Sequence, residues 1–279
     1  MNLSVVVITF NEEANIGRTL ASVQPLVADG KGEIIVVDSG STDRTLEIAK
    51  SFGAKVFVEE WKGFAAQKNS AIDKATGDWI LSLDADEEAE RDLARLIPAI
   101  LEPRPLRKPE LLAAMGVTAK SSSDVKGYWI ERQNKFLGRW LRYGGFWPDP
   151  KLRLFQRNSG RFENRTVHED IVLEGKTGRI RALIVHHSYP TLSDYIEHMN
   201  RYSSLGAEMV VAKSNGKVRF SVSNIVLRPL ATFIYNYFFR LGFLDGREGL
   251  LLHLYHAVYV SWKYAKAWEL SRSNNTMSS

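Results

Sequence analysis

The stretch Trp79-Ile80-Leu81-Ser82-Leu83-Asp84-Ala85-Asp86-Glu87-Glu88 constrains this chain more than any other. A largely apolar run, preceded by Gly77-Asp78, passes directly into a cluster of carboxylates. Such a run has the length and composition of a strand covered on both faces of a parallel sheet. Side chains alternate along a strand, so Asp84 and Asp86 leave its exit on one side. Two carboxylates so close repel each other unless a cation sits between them. A hard divalent ion, Mg²⁺ or Mn²⁺, with a nucleotide diphosphate completing its oxygen shell, suits that position. Alone, a D-x-D is short and describes a solvated acidic loop equally well; the residues upstream tip the balance.

Leu3 to Ile8 reads as a first strand, followed by Thr9-Phe10-Asn11-Glu12-Glu13. Asn11 is expected to cap a helix whose positive end Glu12 and Glu13 suit, and Ile16, Leu20 and Val23 recur at helical spacing. The plan then repeats: strand Glu33 to Val37, loop Asp38 to Asp43, helix Arg44 to Phe52, strand Lys55 to Val58. A helix from about Phe64 to Ala75, with Gly77 as a left-handed cap, leads into the acidic strand. Strands alternating with helices imply a parallel sheet, whose ligands sit beyond the carboxyl ends of its strands. Thr9 to Glu13, Asp38 to Asp43 and Asp84 to Glu88 all fall at such ends. The first strand is not followed by G-x-G-x-x-G, and no G-x-x-x-x-G-K occurs, which argues against a dinucleotide dehydrogenase and a P-loop kinase.

Thr9-Phe10-Asn11-Glu12-Glu13, Val37 to Asp43, Gly63 to Asn69 and Asp84-Ala85-Asp86, in this order, resemble the donor half of a family 2 inverting glycosyltransferase. The resemblance covers about the first 90 residues. It implies a GT-A fold, α/β and Rossmann-like, with a mostly parallel sheet flanked by helices. It also implies a nucleotide diphosphate sugar, UDP-sugar favoured, bound by Thr9, Asn11, Glu13, Asp38, Lys68, Asp84 and Ala85. Turn and cap duty would account for Asp38 and Asn11 as well, and a solvated helix face for Lys68.

Past Leu93, Leu96, Ile97 and Ile100, which suggest a helix that Pro98 would kink or end, the composition changes. Residues 102–126, rich in proline, serine and basic side chains, read as a flexible insertion. Gly127 to His168 carries nine Lys/Arg against three Asp/Glu, interleaved with aromatics. That pattern fits nucleic acid or a sugar platform beside phosphate-binding arginines; the donor motifs upstream favour the second, and no nucleic acid. Gly144-Gly145-Phe146-Trp147-Pro148-Asp149, Arg153-Leu154-Phe155 and Val167-His168-Glu169 resemble, more narrowly, the branch adding glucose or a related sugar to the lipopolysaccharide core. In that light Glu169 matches the general base, with Asp170 as its rival. His186 matches a late metal ligand beside Asp86, and Arg139, Arg142, Trp147 and Arg153 would meet the acceptor. Transfer to polyprenyl phosphate and non-catalytic nucleotide-sugar binding are the alternatives.

The expected organisation is 1–101 for the donor half, 102–126 for the insertion, 127–200 for the acceptor half with the base, and 201–279 for a helical, aromatic-rich appendage. The appendage holds two apolar runs, Leu230 to Phe239 and Leu250 to Trp262, among basic residues. Neither reaches the ~20 residues that span a bilayer, yet both suit its interface. The start lacks the basic n-region of a signal peptide, the chain has no cysteine, and its net charge is +5. The resemblance implies a glycan or glycolipid acceptor, and with these apolar and basic runs a peripheral place on the cytoplasmic face of the inner membrane is expected.

Overall fold

A computed structural model describes residues 2–102, 113, 116–119, 125–163 and 170–276. Strands β1 (Leu3–Thr9), β2 (Gly32–Asp38), β3 (Lys55–Val58) and β4 (Trp79–Asp84) alternate with helices α1 (Ile16–Val27), α2 (Thr45–Ser51) and α3 (Phe64–Asp73). The four strands pair in parallel in the order β3-β2-β1-β4. Their apolar residues divide by parity, as a two-residue period requires. Val5, Val7, Ile34, Val36, Leu81 and Leu83 join one buried cluster with Ile16, Leu20 and Val23 of α1. Val6, Ile35, Val37 and Ile80 join the other with Ala71 and Ile72 of α3. Both faces are covered, which is why these strands read as continuous apolar runs.

Beyond β4 the sheet turns antiparallel. β9 (Pro150–Gln156) runs against β4 and against β7 (Val125–Phe136), and β12 (Lys176–Tyr189) against the short β5 (Glu87–Ala89) and β6 (Val117–Ala119). β10 (Gly160–Phe162) and β11 (Ile171–Leu173) form a separate hairpin. Helix α4 (Arg91–Leu101) keeps Pro98 inside it and ends at Leu101, three residues beyond the proline. His186 and His187 lie inside the long β12. The described part of the expected insertion contributes strand β6.

Two other local expectations fail for physical reasons. Asn11 does not cap α1, which starts at Ile16 after Asn15; it adopts a left-handed φ of 54° and bonds across to the next loop. Gly77 is not a left-handed cap. A Cβ there would lie 2.8 Å from the Asn2 carbonyl and the Ser4 amide, so close backbone approach is what requires glycine.

The chain divides into two compact units, residues 1–133 with 149–186, and 134–148 with 187–279, boundaries that differ from those expected at 101, 126 and 200. The second unit holds β8 (Arg139–Trp140), α5 (Leu192–Lys213), α6 (Arg228–Ile234) and α7 (Gly246–Thr276). α5 opens with a capping box that Thr191-x-x-Asp194 spells in the sequence: Asp194 donates its amide to the Thr191 hydroxyl, and its carboxylate accepts the Thr191 amide. Phe136, Leu141, Tyr195 and Leu252 form this unit's own core. Residues 134–148 are sequence-remote from the helices but bury Phe136 and Leu141 among them, which draws them into this unit. A Cβ on Gly144, φ 67°, would lie 2.1 Å from the His253 ring, which explains one glycine of the Gly-Gly pair. Among the described residues no helix is long and apolar enough to cross a membrane.

Candidate active site

Register places the three polar clusters on one edge: Thr9 of β1 lies opposite Asp38 of β2, and Ile8 opposite Asp84 of β4. The first two clusters interlock. The Asn11 carboxamide oxygen accepts the Thr42 amide at 2.8 Å, the Glu13 carboxylate accepts the Arg44 amide at 3.0 Å, and the Asp43 carboxylate accepts the Glu13 amide at 3.0 Å. Asp38, fully buried, accepts the amides of Gly40 and Ser41 and the Ser41 hydroxyl. These residues therefore do perform turn duty, and in doing so hold the mouth of the edge in one shape. Thr9 differs: its hydroxyl is buried and finds no hydrogen-bond partner among the described residues.

The acidic exit of β4 is wired by charge. Lys68 Nζ lies 2.7 Å from Asp84 Oδ1, and Arg153 Nη2 lies 2.7 Å from Asp84 Oδ2 and 2.5 Å from Glu87 Oε1. The other Glu87 oxygen accepts the Asp84 amide at 3.0 Å. Arg132 extends the chain, 3.5 Å from Glu87 and 2.8 Å from Asp149. Burial works against ionisation of Asp84, but Arg153 and Lys68 outweigh it and hold the carboxyl well below the usual range. Both Asp84 oxygens are thus engaged by cations.

Asp86 is separate. Its Oδ2 lies 3.2 Å from His186 Nε2, because β12 pairs with β5 and sets His186 opposite Glu87. Burial opposes ionisation of Asp86 too, and His186 reverses the balance and lowers it. Glu12, which the sequence reading left without a role in binding, faces the same charges. Burial pushes its carboxyl up, the hydrogen bond from Asn15 opposes, and Asp86 adds to the rise. Ala85 is buried and its carbonyl accepts the Thr19 hydroxyl at 2.6 Å, tying the D-x-D turn to α1.

Of the expected acceptor residues, Arg139, Arg142 and Trp147 lie in the second unit, where Trp147 meets Trp140 edge-on at 5.2 Å. Arg153 is not with them: it is buried in the first unit, its guanidinium committed to Asp84 and Glu87. Glu169 lies outside the described residues, whereas Asp170 is exposed and its carbonyl accepts the Glu163 amide at 3.0 Å. Asn69 of α3 grips Phe162 of β10 with both ends of its carboxamide, at 2.9 and 3.0 Å, and Lys68 Nζ sits 5.2 Å from the Phe162 ring. The β10–β11 hairpin is thereby tied to α3, whose Lys68 binds Asp84. Asn69, Glu87 and Arg132 are functional candidates to which the sequence assigned no role; Asn69 and Glu87 fell inside the stretches Gly63 to Asn69 and Asp84 to Glu88, and Arg132 in neither.

Among the described residues, no three His, Asp or Glu cluster to hold a metal by themselves. Asp86 still fits a hard divalent ion, because Mg²⁺ and Mn²⁺ take carboxylate, water and phosphate oxygens and are commonly held by one or two protein ligands with water and substrate phosphate filling the remaining shell; His186 beside it is the second candidate ligand.

Comparisons with known proteins identify the family. The model of Glycosyl transferase family 2 matches residues 4–162. The lipopolysaccharide core biosynthesis glycosyltransferase LpsC of Rhizobium meliloti is 30% identical, over 96% of this chain and 92% of that protein. An uncharacterized glycosyltransferase of Rickettsia typhi is also 30% identical, over 99% and 90%. A mannosyltransferase from Pyrobaculum calidifontis, solved with GDP-Man and Mn²⁺, aligns over 99% of this chain and 74% of that one, with a TM-score of 0.49 at 16% identity. With more than half its length matched by the family model and a relative at 30% identity over nearly the whole of both chains, the chain belongs to glycosyltransferase family 2 and is a glycosyltransferase.

Proposed function

We propose that this glycosyltransferase moves a hexose, glucose favoured, from a nucleoside diphosphate sugar, UDP favoured, to a saccharide of a lipopolysaccharide core, with inversion. The observation that carries the reading is the pairing of Asp86 with His186 at 3.2 Å beside an Asp84 that two cations hold in place. In this reading the Asp86 carboxylate and the His186 imidazole are the pair that meets the donor diphosphate. Asp86 and His186 would hold Mn²⁺ or Mg²⁺, which would supply Lewis-acid stabilisation of the departing diphosphate.

The chain's own residues do the rest. Thr9, whose hydroxyl lacks a partner, and the interlocked Asn11, Glu13 and Asp38 shape the base and ribose pocket. Asp84, fixed by Lys68 and Arg153, accepts a hydrogen bond from the donor, with the Ala85 backbone beside it. The acceptor hydroxyl attacks the anomeric carbon as the bond from that carbon to the diphosphate oxygen breaks, and Glu169 takes the hydroxyl proton. A single displacement inverts the anomeric carbon and needs no covalent intermediate. Asp170 is the alternative base. Arg139, Arg142 and Trp147 meet the acceptor. A core acceptor is assembled on a lipid before export, so the enzyme works as a peripheral protein on the cytoplasmic face of the inner membrane.

Calorimetry of UDP binding tests the site. Wild type should bind more tightly with Mn²⁺ than in chelator, and Asp86→Ala and His186→Ala should each remove most of that difference. Equal affinity with and without metal, in the wild type, refutes it.

A further inference from the structure

The most exposed apolar surface of the second unit is a single stretch of chain. Between Lys217 and Leu244 the sequence has four basic residues, Lys217, Arg219, Arg228 and Arg240, and no Asp or Glu. Phe220, Leu230, Tyr235, Phe238 and Phe239 point large apolar side chains into solvent, Phe239 being 75% exposed. Helix α6 in its middle is flanked by two π-helical segments, Ser223–Leu227 and Tyr235–Phe239, a rare geometry that concentrates at functional sites. Large exposed apolar side chains gathered in one stretch of chain are what an interaction site offers.

Charge decides the partner. Two copies meeting through this face would bring Arg219, Arg228 and Arg240 near their duplicates with no acid in the stretch to offset them. An anionic lipid surface complements the same residues, and aromatic side chains favour the headgroup layer. The end of the stretch also forms a wall of a cavity of about 410 Å³ lined by Arg139, Trp140, Arg142, Tyr143, Leu244 and Asp245. Arg142 stacks over Trp140, its guanidinium carbon 4.1 Å from the ring centroid. Asp245 is buried with its carboxylate on the backbone amides of Arg142 and Tyr143, at 2.9 to 3.2 Å, so it braces the cavity floor. Arg139 lies 3.7 Å from Glu248 and is half exposed. Leu244, 45% exposed, belongs to both features.

We infer that residues 217–244 enter the headgroup layer of an anionic membrane and that the Arg139–Arg142 cavity beside them holds a phosphate group presented at that surface. Guanidinium forks match phosphate oxygens. The inference deepens the proposed function and rests on its reading of the acceptor as lipid-linked: a phosphate held at the membrane rim would position such an acceptor. The phosphate belongs either to a bulk lipid headgroup or to the glycolipid itself.

Flotation of the full chain with phosphatidylcholine vesicles, with and without phosphatidylglycerol or phosphatidic acid, tests it. Truncation is unsuitable, because Leu252 is buried in the unit's core. Wild type should float with anionic vesicles, less so as salt rises, since screening shortens from about 10 Å at 0.1 M to about 3 Å at 1 M. Phe238→Ser with Phe239→Ser should lower the partition at least roughly tenfold, the loss of apolar burial of two aromatic side chains, with UDP affinity unchanged. Arg142→Gln should weaken binding to anionic vesicles and leave the residual binding to phosphatidylcholine as it was. Inorganic phosphate, against chloride of equal ionic strength, should compete in the wild type and not in Arg142→Gln; competition by phosphatidic acid vesicles alone assigns the cavity to a membrane phosphate. Full-length protein that stays unbound at low salt, or a stable dimer abolished by the Phe238/Phe239 pair of changes, overturns the membrane face. Arg142→Gln behaving as wild type in every arm overturns the cavity. Failure of UDP to bind wild type would instead strike the proposed function.

Discussion

Arg153→Met tests the wiring of the acidic edge. The guanidinium is buried, 2.7 Å from Asp84 and 2.5 Å from Glu87, and Glu87 is itself fully buried. Removing one partner from a buried ion pair costs about 3–5 kcal/mol, because the remaining charge is left uncompensated. Lys68 stays 2.7 Å from Asp84 and Arg132 stays 3.5 Å from Glu87, so the lower end, about 3 kcal/mol, is expected. For a chain this size that lowers the melting temperature by roughly 6–12 °C, at about 2–4 °C per kcal/mol. Adding Glu87→Gln removes the stranded charge, so the double variant should melt above the sum of the single effects. pH supplies a second readout. Burial opposes ionisation of Asp84, yet Arg153 and Lys68 hold its folded-state carboxyl below the unfolded value. Its contribution is therefore complete at neutral pH and is lost as pH falls through the folded value. The gap between wild type and Arg153→Met must narrow on acidification. Thermal melts by circular dichroism decide: a shift under about 2 °C, or strict additivity in the double variant, refutes the account.

Glu169→Gln should keep UDP affinity and lose transfer, with Asp170→Asn near wild type; the reverse pattern in a radiolabelled transfer assay moves the base to Asp170. Asn69→Ala removes two bonds to the Phe162 backbone, each worth about 1 kcal/mol, and should lower kcat more than donor affinity, because it frees the β10–β11 hairpin, next in sequence to the proposed base Glu169. Burial raises the Glu33 carboxyl, but hydrogen bonds from Lys55, Thr76 and Ser4 prevail and bring it to about 2. With the folded value depressed, stability from Glu33 is full above the usual carboxylate range and falls away toward pH 2, so Glu33→Gln should flatten the acid limb of a stability-against-pH curve.

Much of the donor half was legible because its information is local. β3 begins and ends where expected, and the capping box at Thr191 forms as the spacing requires. Parity of apolar residues along β1, β2 and β4 is a property of short segments, and it announces a sheet covered on both faces. The convergence of Thr9, Asp38 and Asp84 follows once those strands are parallel. Asn11 shows the limit within this half: its sequence context suits a helix cap, yet its carboxamide is taken by Thr42, thirty-one residues away.

What the sequence determined by itself was the chemistry available: a D-x-D after a buried strand, a late histidine, basic and aromatic residues, an acid-free apolar stretch. Tertiary structure decided which of these meet. His186 reaches Asp86 only because β12 pairs with β5, and Arg153 turns from an expected acceptor ligand into the brace of Asp84 only because β9 lies beside β4. Antiparallel pairings between strands 70 to 100 residues apart depend on register and burial across the whole sheet, which no local pattern encodes. The same holds for Glu87, which looked like one more acid after the strand and became, by complete burial, the centre of a charge network.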